Sequence, residues 1–507
     1  MKKTALIIMI ITLFSKFLGF GRDIVLSYFF GASSISDAYL ISLTIPSVIF
    51  GFIGVGIVTA YIPMQSRIIR ESGEEAGSEF TSNFTNIILM LVTMILLIGM
   101  VFTEPIVKLF ALGFSGEILK LAINFTKISL FGMYFTALIS IFSGYLQIKD
   151  NYIVPALIGF PLNIIVIITI IIASQGNYII LALGTLLATA SQFFLMVPFI
   201  KKQNFNYKLA FNLKDDRIIK TLYIALPVVI GTSVNQVNIL VDRTIASSLA
   251  VGGISSLNYA NRLNLFIQGV FVTSIITAMY PMISSYASNK NFEGIKKVLQ
   301  ESINIITIFV LPITIGTMIF SNEVINLLFG RGAFDDNAIK MTSAALFFYA
   351  FGMLGFGLRE VLARGFYSMQ DTKTPMINAA IGMFLNIILN IILSRFMGIG
   401  GLALATSVAA TFTTVLLFIS LRKKIGPFGM KQISVSFLKI LFASLVMGGL
   451  AKLSFNYLTV SLSQNLSLLM AIGVGVVSYF VIIYFMKIED VDVIVGAIKK
   501  KLGRGAA

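Results

Sequence analysis

Residues 163–173 read NIIVIITIIIA, and runs of this kind recur along the whole chain. A stretch that stays apolar without interruption is a poor barrel strand, because barrel strands alternate lipid-facing and lumen-facing residues over about 10 positions. It suits a helix crossing hydrocarbon, which takes about 20 residues. Only 12% of the 507 residues are charged and 57% are hydrophobic, against roughly a quarter charged in a soluble domain. These features predict an all-α polytopic membrane protein. Fourteen transmembrane helices are expected, at 5–30, 35–64, 84–110, 121–147, 153–174, 178–200, 218–247, 254–285, 302–328, 338–367, 375–394, 399–421, 434–457 and 466–486.

The chain has neither cysteine nor histidine. Disulfides, thiolate chemistry and cysteine metal sites are excluded, and so are the usual metal ligand and the usual neutral-pH proton shuttle. No metal site or cofactor is expected, and no phosphate-cradling nucleotide loop is present. The start, MKKTALIIMIITLF, resembles the charged and apolar regions of a signal peptide. It runs on as helix with no small-residue cleavage site, so it reads as an uncleaved first span.

The net charge of +16 is explained by where the charge lies. With the N-terminus inside, the inward connections hold Lys2, Lys3, Arg67, Arg70, Lys149, the cluster Lys201–Lys220, Lys290–Lys297, Lys373, Arg422–Lys431 and a basic tail. The outward connections hold little beyond Lys120 and Arg331. Cytoplasmic loops carry the excess of Lys and Arg, so both termini are expected in the cytoplasm. The charge is topological, and no nucleic-acid partner is expected.

The chain also repeats itself. Gly31–Tyr39 (GASSISDAY) parallels Gly252–Tyr259 (GGISSLNY), and AYIPM (60–64) parallels AMYPM (278–282). GYLQIKDNYIVPA (144–156) parallels GFYSMQDTKTPM (365–376), LNII (162–165) parallels LNII (385–388), and FIKK (199–202) parallels LRKK (421–424). The offsets, 218 to 223 residues, are nearly constant and keep the same order. The expected architecture is two pseudo-symmetric six-helix lobes, 1–200 and 218–424, joined by a cytoplasmic linker, 201–217. Residues 425–507 add two C-terminal helices and the basic tail. An even number of helices per copy makes this a parallel repeat, as in one class of transporters.

Charge inside spans is costly, about 2.5–3.5 kcal/mol per residue at mid-helix on insertion scales. Lys16 lies about 16 Å along the first span at 1.5 Å per residue, and Lys16 and Asp23 share a face. Arg22 and Asp23 point roughly 100° apart, so Arg22 is expected to be available to a ligand and not neutralised by its neighbour. The second copy contributes Asp242, Arg243 and Arg262, and the tenth span Arg359, Glu360 and Arg364. Cations outnumber carboxylates there, which points to an anion such as a phosphate. Interhelical salt bridges, such as Arg22 with Asp37 or Arg359 with Glu360, are the alternative. Asp242, Asn386, Asn390 and Thr406 could hold a small cation such as Na+, or could simply bond helix to helix.

SKFLGFGRD (15–23), FGASSISDAY (30–39), NYANRLNLF (258–266) and GFYSMQDTKTP (365–375) resemble the MurJ (MviN) lipid II flippase family of the MOP exporter superfamily. The resemblance covers essentially the whole chain. It implies export of the undecaprenyl-pyrophosphate-linked peptidoglycan precursor, lipid II, across the bacterial inner membrane by alternating access, with no enzymatic activity. Ser15, Lys16, Arg22, Asp23, Asp37 and Arg262 would bind the substrate head, with Arg359, Glu360 and Arg364 as secondary candidates. Asp242, Asn386, Asn390 and Thr406 would correspond to a sodium site described for the fold; Na+ or the membrane potential would then drive transport. The two last helices would form a groove for the polyprenyl tail. The expected partners are the lipid-linked glycan and membrane lipids, with the protein acting as a monomer. Lys16 stands where the family carries Arg, and Asn390 where some members carry Asp. After Pro46 the family usually shows an Arg pair and a Glu-Gly, whereas this chain reads PSVIFGFIGVG (46–56). The alternatives are a flippase for another polyprenyl-linked oligosaccharide, a MATE-like drug exporter and a non-transporting scaffold.

Overall fold

A computed structural model describes residues 2–486 of the chain. The basic tail expected beyond Met486 lies outside the described residues. Among those described there is no strand. The chain winds through α1 (Lys2–Phe30), α2 (Ser34–Val101), α3 (Thr103–Phe110), α4 (Gly116–Leu130), α5 (Gly132–Ile148), α6 (Ile153–Leu157), α7 (Gly159–Ala173), α8 (Ile179–Lys202) and α9 (Asp216–Leu249). It continues through α10 (Gly253–Ile267), a π-helical turn (Gln268–Val272), α11 (Thr273–Ser288), α12 (Phe292–Ile319), α13 (Ser321–Phe329), α14 (Asp336–Ser368), α15 (Lys373–Ile425), α16 (Met430–Leu458) and α17 (Gln464–Phe485).

Eleven helical segments among the described residues are long and apolar enough to cross a bilayer. Several expected spans run together in one continuous helix. The 68 residues of α2 cover two of them, with Gly73 at φ 85° breaking the helix between. The 53 residues of α15 cover two more, broken at Gly398, φ 55°. Prolines sit inside α2, α8, α11 and α12. Hydrocarbon tolerates them where hydroxyls and neighbouring helices re-satisfy the freed backbone. Thr44, for instance, donates to the Leu40 carbonyl at 2.8 Å just before Pro46.

The described residues form two compact units, Met1–Ser255 with Arg331–Ala338, and Ser256–Gly330 with the chain from Ile339 onward. In the first, Tyr61 stacks on Phe80 and Phe84 at 6.1 and 5.5 Å, and its hydroxyl meets Thr81 Oγ1 at 2.8 Å. This buried cluster ties the halves of α2 to α4, α5 and α8. The linker between α8 and α9 pairs with α2 in the manner of a sheet. Asn83 accepts from the Asn212 amide and donates to its carbonyl, and Asn86 donates to the Ala210 carbonyl. In the second unit α16 and α17 pack on α12 through Ile308, Ile440, Met447 and Tyr479. The Tyr479 hydroxyl donates to the Ile308 carbonyl at 2.6 Å.

The turns carry the repeat in their backbone. Residues with left-handed φ fall in pairs: Gly31 and Gly252, Gly73 and Lys290, Gly116 and Gly332, Asp150 and Gln370, Gly176 and Gly398, Asn204 and Gly426. Their spacings, 216 to 222 residues, overlap those of the sequence landmarks, and Gly429 alone of the described left-handed residues has no counterpart. At Asp150 and Gln370 the hydrogen bonds also match: Asn151 N reaches back to Leu146 O, and Asp371 N to Phe366 O. Both are the six-to-one bond of a helix stop with a left-handed residue.

Asp371 explains the second half of GFYSMQDTKTP. Its carboxylate accepts from the Thr374 amide and hydroxyl and from Lys424 Nζ. It thereby restarts α15 after the stop and ties that helix's beginning to its end. Partial burial opposes ionisation, but these bonds outweigh it and hold the Asp371 carboxyl at about 2. The folded value lies below the unfolded value of about 3.9. The stabilisation is therefore complete above about pH 4 and is lost as pH falls toward 2. Asp371→Ala should cost about 0.5–2 kcal/mol, the range for a lost helix cap. In thermal melts of purified protein, the gap between wild type and variant should be full at pH 7 and should shrink below pH 4.

Candidate functional site

The residues singled out from the sequence divide between the units. Ser15, Lys16, Arg22, Asp23, Asp37 and Asp242 lie in the first; Arg262, Arg359, Glu360, Arg364, Asn386, Asn390 and Thr406 lie in the second.

On α1 the expectation that Asp23 leaves Arg22 unneutralised is overturned. Arg22 Nε and Nη2 both bond Asp23 Oδ1, at 3.2 and 2.9 Å. Cα directions a hundred degrees apart do not prevent this, because the long arginine stem folds back along the helix. Asp23 is buried, at 3% exposure, and the Arg22 side chain keeps 20%. A guanidinium carries five N–H donors, and Asp23 takes only the Nε edge. That carboxylate fixes the plane of the guanidinium. Lys16 is exposed, six residues earlier. Ser15 faces α7 instead: its carbonyl meets Asn163 Nδ2 at 3.5 Å, and its hydroxyl fills the space above Gly159.

Asp37 pairs with backbone and not with Arg22. Its Oδ2 accepts from the Gly252 amide at 2.8 Å, and its Oδ1 from the Ser255 amide and hydroxyl at 2.8 and 2.5 Å. The carboxylate sits at the start of α10, where unpaired amides favour an anion. The three turns that meet here are in backbone contact, and the Ala333 amide donates to the Tyr28 carbonyl at 2.8 Å. A Cβ on Gly31 would lie 2.2 Å from the Ala333 carbonyl oxygen, and one on Gly252 2.2 Å from that of Ala32. Only glycine permits both the approach and the positive φ. Nearby, Arg243 Nη1 donates to the Ile254 carbonyl at 3.1 Å, and Asp242 Oδ2 accepts from Asn238 at 3.4 Å.

In the second unit Arg262 is exposed on α10. Arg359 lies 5.5 Å from the Phe356 ring, and Arg364 lies 5.8 and 5.9 Å from those of Tyr280 and Tyr367. Aromatic faces thus hold these cations, and Glu360 is half-buried on the same helix. Asn390 donates to Asn386 Oδ1 at 2.9 Å, Asn386 donates to Thr406 Oγ1 at 3.3 Å, and Thr406 donates to the Leu402 carbonyl at 2.9 Å. This head-to-tail ladder already engages the Asn386 and Thr406 oxygens that would ligate a cation. Among the described residues no cluster of three carboxylates suits a metal ion. The geometry fits interhelical hydrogen bonding.

Two cavities complete the picture, and residue-by-residue reading of charge missed both. In the first unit a cavity of about 650 Å³ opens beside α2, with Ser47, Ser129, Thr136, Thr185, Thr189 and Gln236 on its walls. No charged residue lines it. The visible signal was hydroxyls four apart, Thr136 with Ser140 and Thr185 with Thr189. In the second unit a slot of about 410 Å³ runs between α12, α16 and α17, walled by Phe271, Ile313, Met447, Val476 and Tyr479. It is almost wholly apolar, and Gly448 and Gly475 give it width. Lys452, paired with Glu323 at 2.8 Å, stands beside it over Phe320.

Residues 26–473 match the family model described as lipid II flippase MurJ. A probable lipid II flippase MurJ of Vibrio cholerae serotype O1 is 28% identical over 97% of this chain and 97% of its own. A solved lipid II flippase MurJ, in an inward closed conformation, superposes with a TM-score of 0.82 at 28% identity, over 95% of this chain and 98% of its own. An inward-facing multidrug resistance MATE transporter of the MOP superfamily shares the fold, with a TM-score of 0.68 at 16% identity, over 83% of this chain and 98% of its own.

The chain has no cysteine, so a single Ala32→Cys variant reports cleanly on the clasp around Asp37. Hydrogen bonds to a charged group contribute about 1.5–3 kcal/mol each. Adding Asp37→Ala should therefore raise the rate of labelling by a membrane-impermeant maleimide at least about fivefold. An unchanged rate would show that the glycine backbone contacts alone hold the turns together.

Proposed function

The chain belongs to the lipid II flippase MurJ family, and from that premise we propose how its own residues serve transport. It is a multi-pass protein of the bacterial inner membrane that translocates lipid II from the inner to the outer leaflet by alternating access. Both termini face the cytoplasm, as the cation-rich connections require, and one chain suffices. The turns clasped by Asp37 then stand at the outer end.

Arg22 carries the reading. A cation inside a span is expensive, and a salt bridge that fully consumed it would make it merely structural. Asp23 instead takes one edge of the guanidinium and orients the other. Such a donor pair matches the oxygens of a pyrophosphate. Lys16 on the same helix and Arg262 on α10 add charge to the same task, lowering the cost of carrying an anion through hydrocarbon. An inside-negative potential assists outward movement of a net negative head by about 2.3 kcal/mol per charge per 100 mV. The apolar slot of the second unit takes the polyprenyl tail, which needs surface of its own kind and no directional bonds.

A MATE-like exporter of organic cations would need carboxylates in its cavity, and the cavity of the first unit has none. A scaffold would have no use for a guanidinium engaged along one edge within a span.

In cells depleted of their own flippase, Arg22→Ala and Arg262→Ala should each abolish exposure of lipid II to an external probe while the protein still inserts. Wild-type exposure in both variants would sink the cationic reading. Val476→Trp should fill the slot and slow export of the full-length polyprenyl substrate about tenfold, while a short-chain analogue proceeds at the wild-type rate. Equal rates for both lipids in that variant would remove the slot from the mechanism.

A further inference from the structure

We propose that the linker between α8 and α9 is an interfacial anchor. It seats Leu209, Phe211 and Leu213 among the headgroups of the bilayer and selects anionic phospholipid through the lysines at its two ends. This needs only that α8 crosses the bilayer, and it stands apart from the transport reading.

One side of the linker is pinned. Phe205 packs edge-on against Phe142 and Tyr145, its ring centre 5.3 Å from each of theirs. Ser82, Asn83 and Asn86 share one face of α2 and engage the backbone of every second residue that follows. The Lys208 amide donates to Ser82 Oγ at 3.1 Å, and the Ala210 carbonyl accepts from Asn86 at 2.7 Å. Asn212 exchanges two bonds with Asn83, at 2.7 and 3.1 Å. Alternate side chains of an extended segment point to opposite sides, so fixing the even residues turns the odd ones outward. Leu209 is 92% exposed, and Phe211 and Leu213 are 53% and 52% exposed. Burying apolar surface is favourable, and a chain free to relax would fold these residues inward. Here the hydrogen bonds to α2 hold them out. An apolar row kept on the surface in this way marks a contact face.

Charge and position name the partner. Lys201 and Lys202 end α8, Lys214 follows the row, Lys220 lies near the start of α9, and all four are exposed. None of the four is held in an ion pair among the described residues, whereas Arg217 is taken by Asp215 and Lys208 by Glu75. Asp216 is the one other carboxylate within residues 201–220. The helix α8 is long and apolar enough to cross a bilayer, so the residues after Lys202 emerge at its surface. An apolar row flanked by lysines suits the headgroup region, where buried apolar area and attraction to anionic lipid act together. Zwitterionic lipid would satisfy the row and leave the lysines without a net countercharge. In the orientation proposed above, the surface is that of the inner leaflet.

The chain has no tryptophan, so Phe211→Trp gives the full-length protein a single fluorescent reporter. Leu209→Trp supplies a second reporter site if the first disturbs folding. The protein is placed in nanodiscs of equal parts phosphatidylcholine and phosphatidylglycerol, with bromine on the acyl chains of one lipid or the other. Nanodiscs expose both faces, so the result does not depend on orientation. Brominated phosphatidylglycerol should quench the reporter at least about threefold more than brominated phosphatidylcholine. Adding Lys201→Gln, Lys202→Gln, Lys214→Gln and Lys220→Gln should bring that ratio to about one while quenching itself persists, and high salt should act in the same direction. Equal quenching by the two lipids with all four lysines in place overturns the anionic selection. A reporter that emits as in water and is quenched by neither lipid overturns the anchor and leaves the apolar row to a protein partner.

Discussion

In hydrocarbon a polar group without a partner has no water to fall back on. That constraint orders this molecule more strongly than apolar packing, since lipid is as apolar as leucine and drives no helix association by itself. It explains why serine and threonine protons run back to carbonyls along α5, α8 and α15. It explains why Asp37 collects three donors from one turn, and why the linker meets α2 through asparagine side chains that imitate backbone. Each such bond also fixes a direction. The ladder from Asn390 to Leu402 has a donor end and an acceptor end.

Much of this was legible in the sequence, and the boundary falls along a physical line. Helices were legible because the bilayer demands long apolar runs. The repeat was legible because turns need special residues, and Gly31, Gly252, Asp150 and Gln370 mark them at matching spacing. The eleven segments long enough to cross do not by themselves establish the fourteen that were expected, since Gly73 and Gly398 interrupt single long helices where separate ones were read. Side-chain reach was not legible. Helix geometry places Arg22 and Asp23 on different faces, yet the guanidinium lies at the end of a flexible stem and finds the carboxylate. Nor was the partner of Asp37, because backbone amides look alike in every sequence. The GFYSMQDTKTP motif was read as a family mark, and Asp371 shows that it also stops one helix and starts the next.

The cavities were the hardest to foresee, because a cavity is defined by what is absent. Charge attracts the reader of a membrane sequence, and so Lys16, Arg22 and Arg262 stood out. Ser129, Thr136 and Thr189 look like ordinary helix residues until the helices around them are in place. The apolar slot of the second unit is quieter still, with Gly448 and Gly475 making room among residues indistinguishable from lipid-facing ones.

A lipid-linked glycan has three chemistries in one molecule: an anionic pyrophosphate, a neutral donor-rich head and a long hydrocarbon tail. No single surface suits all three, because a site that neutralises phosphate wastes its charge on sugar, and an apolar slot rejects both. In the proposed reading a guanidinium edge braced by Asp23 meets the first and an apolar slot between helices the last. PSVIFGFIGVG brings no charge to the cavity beside α2, and Gly51 leaves room there for the Gln236 carboxamide.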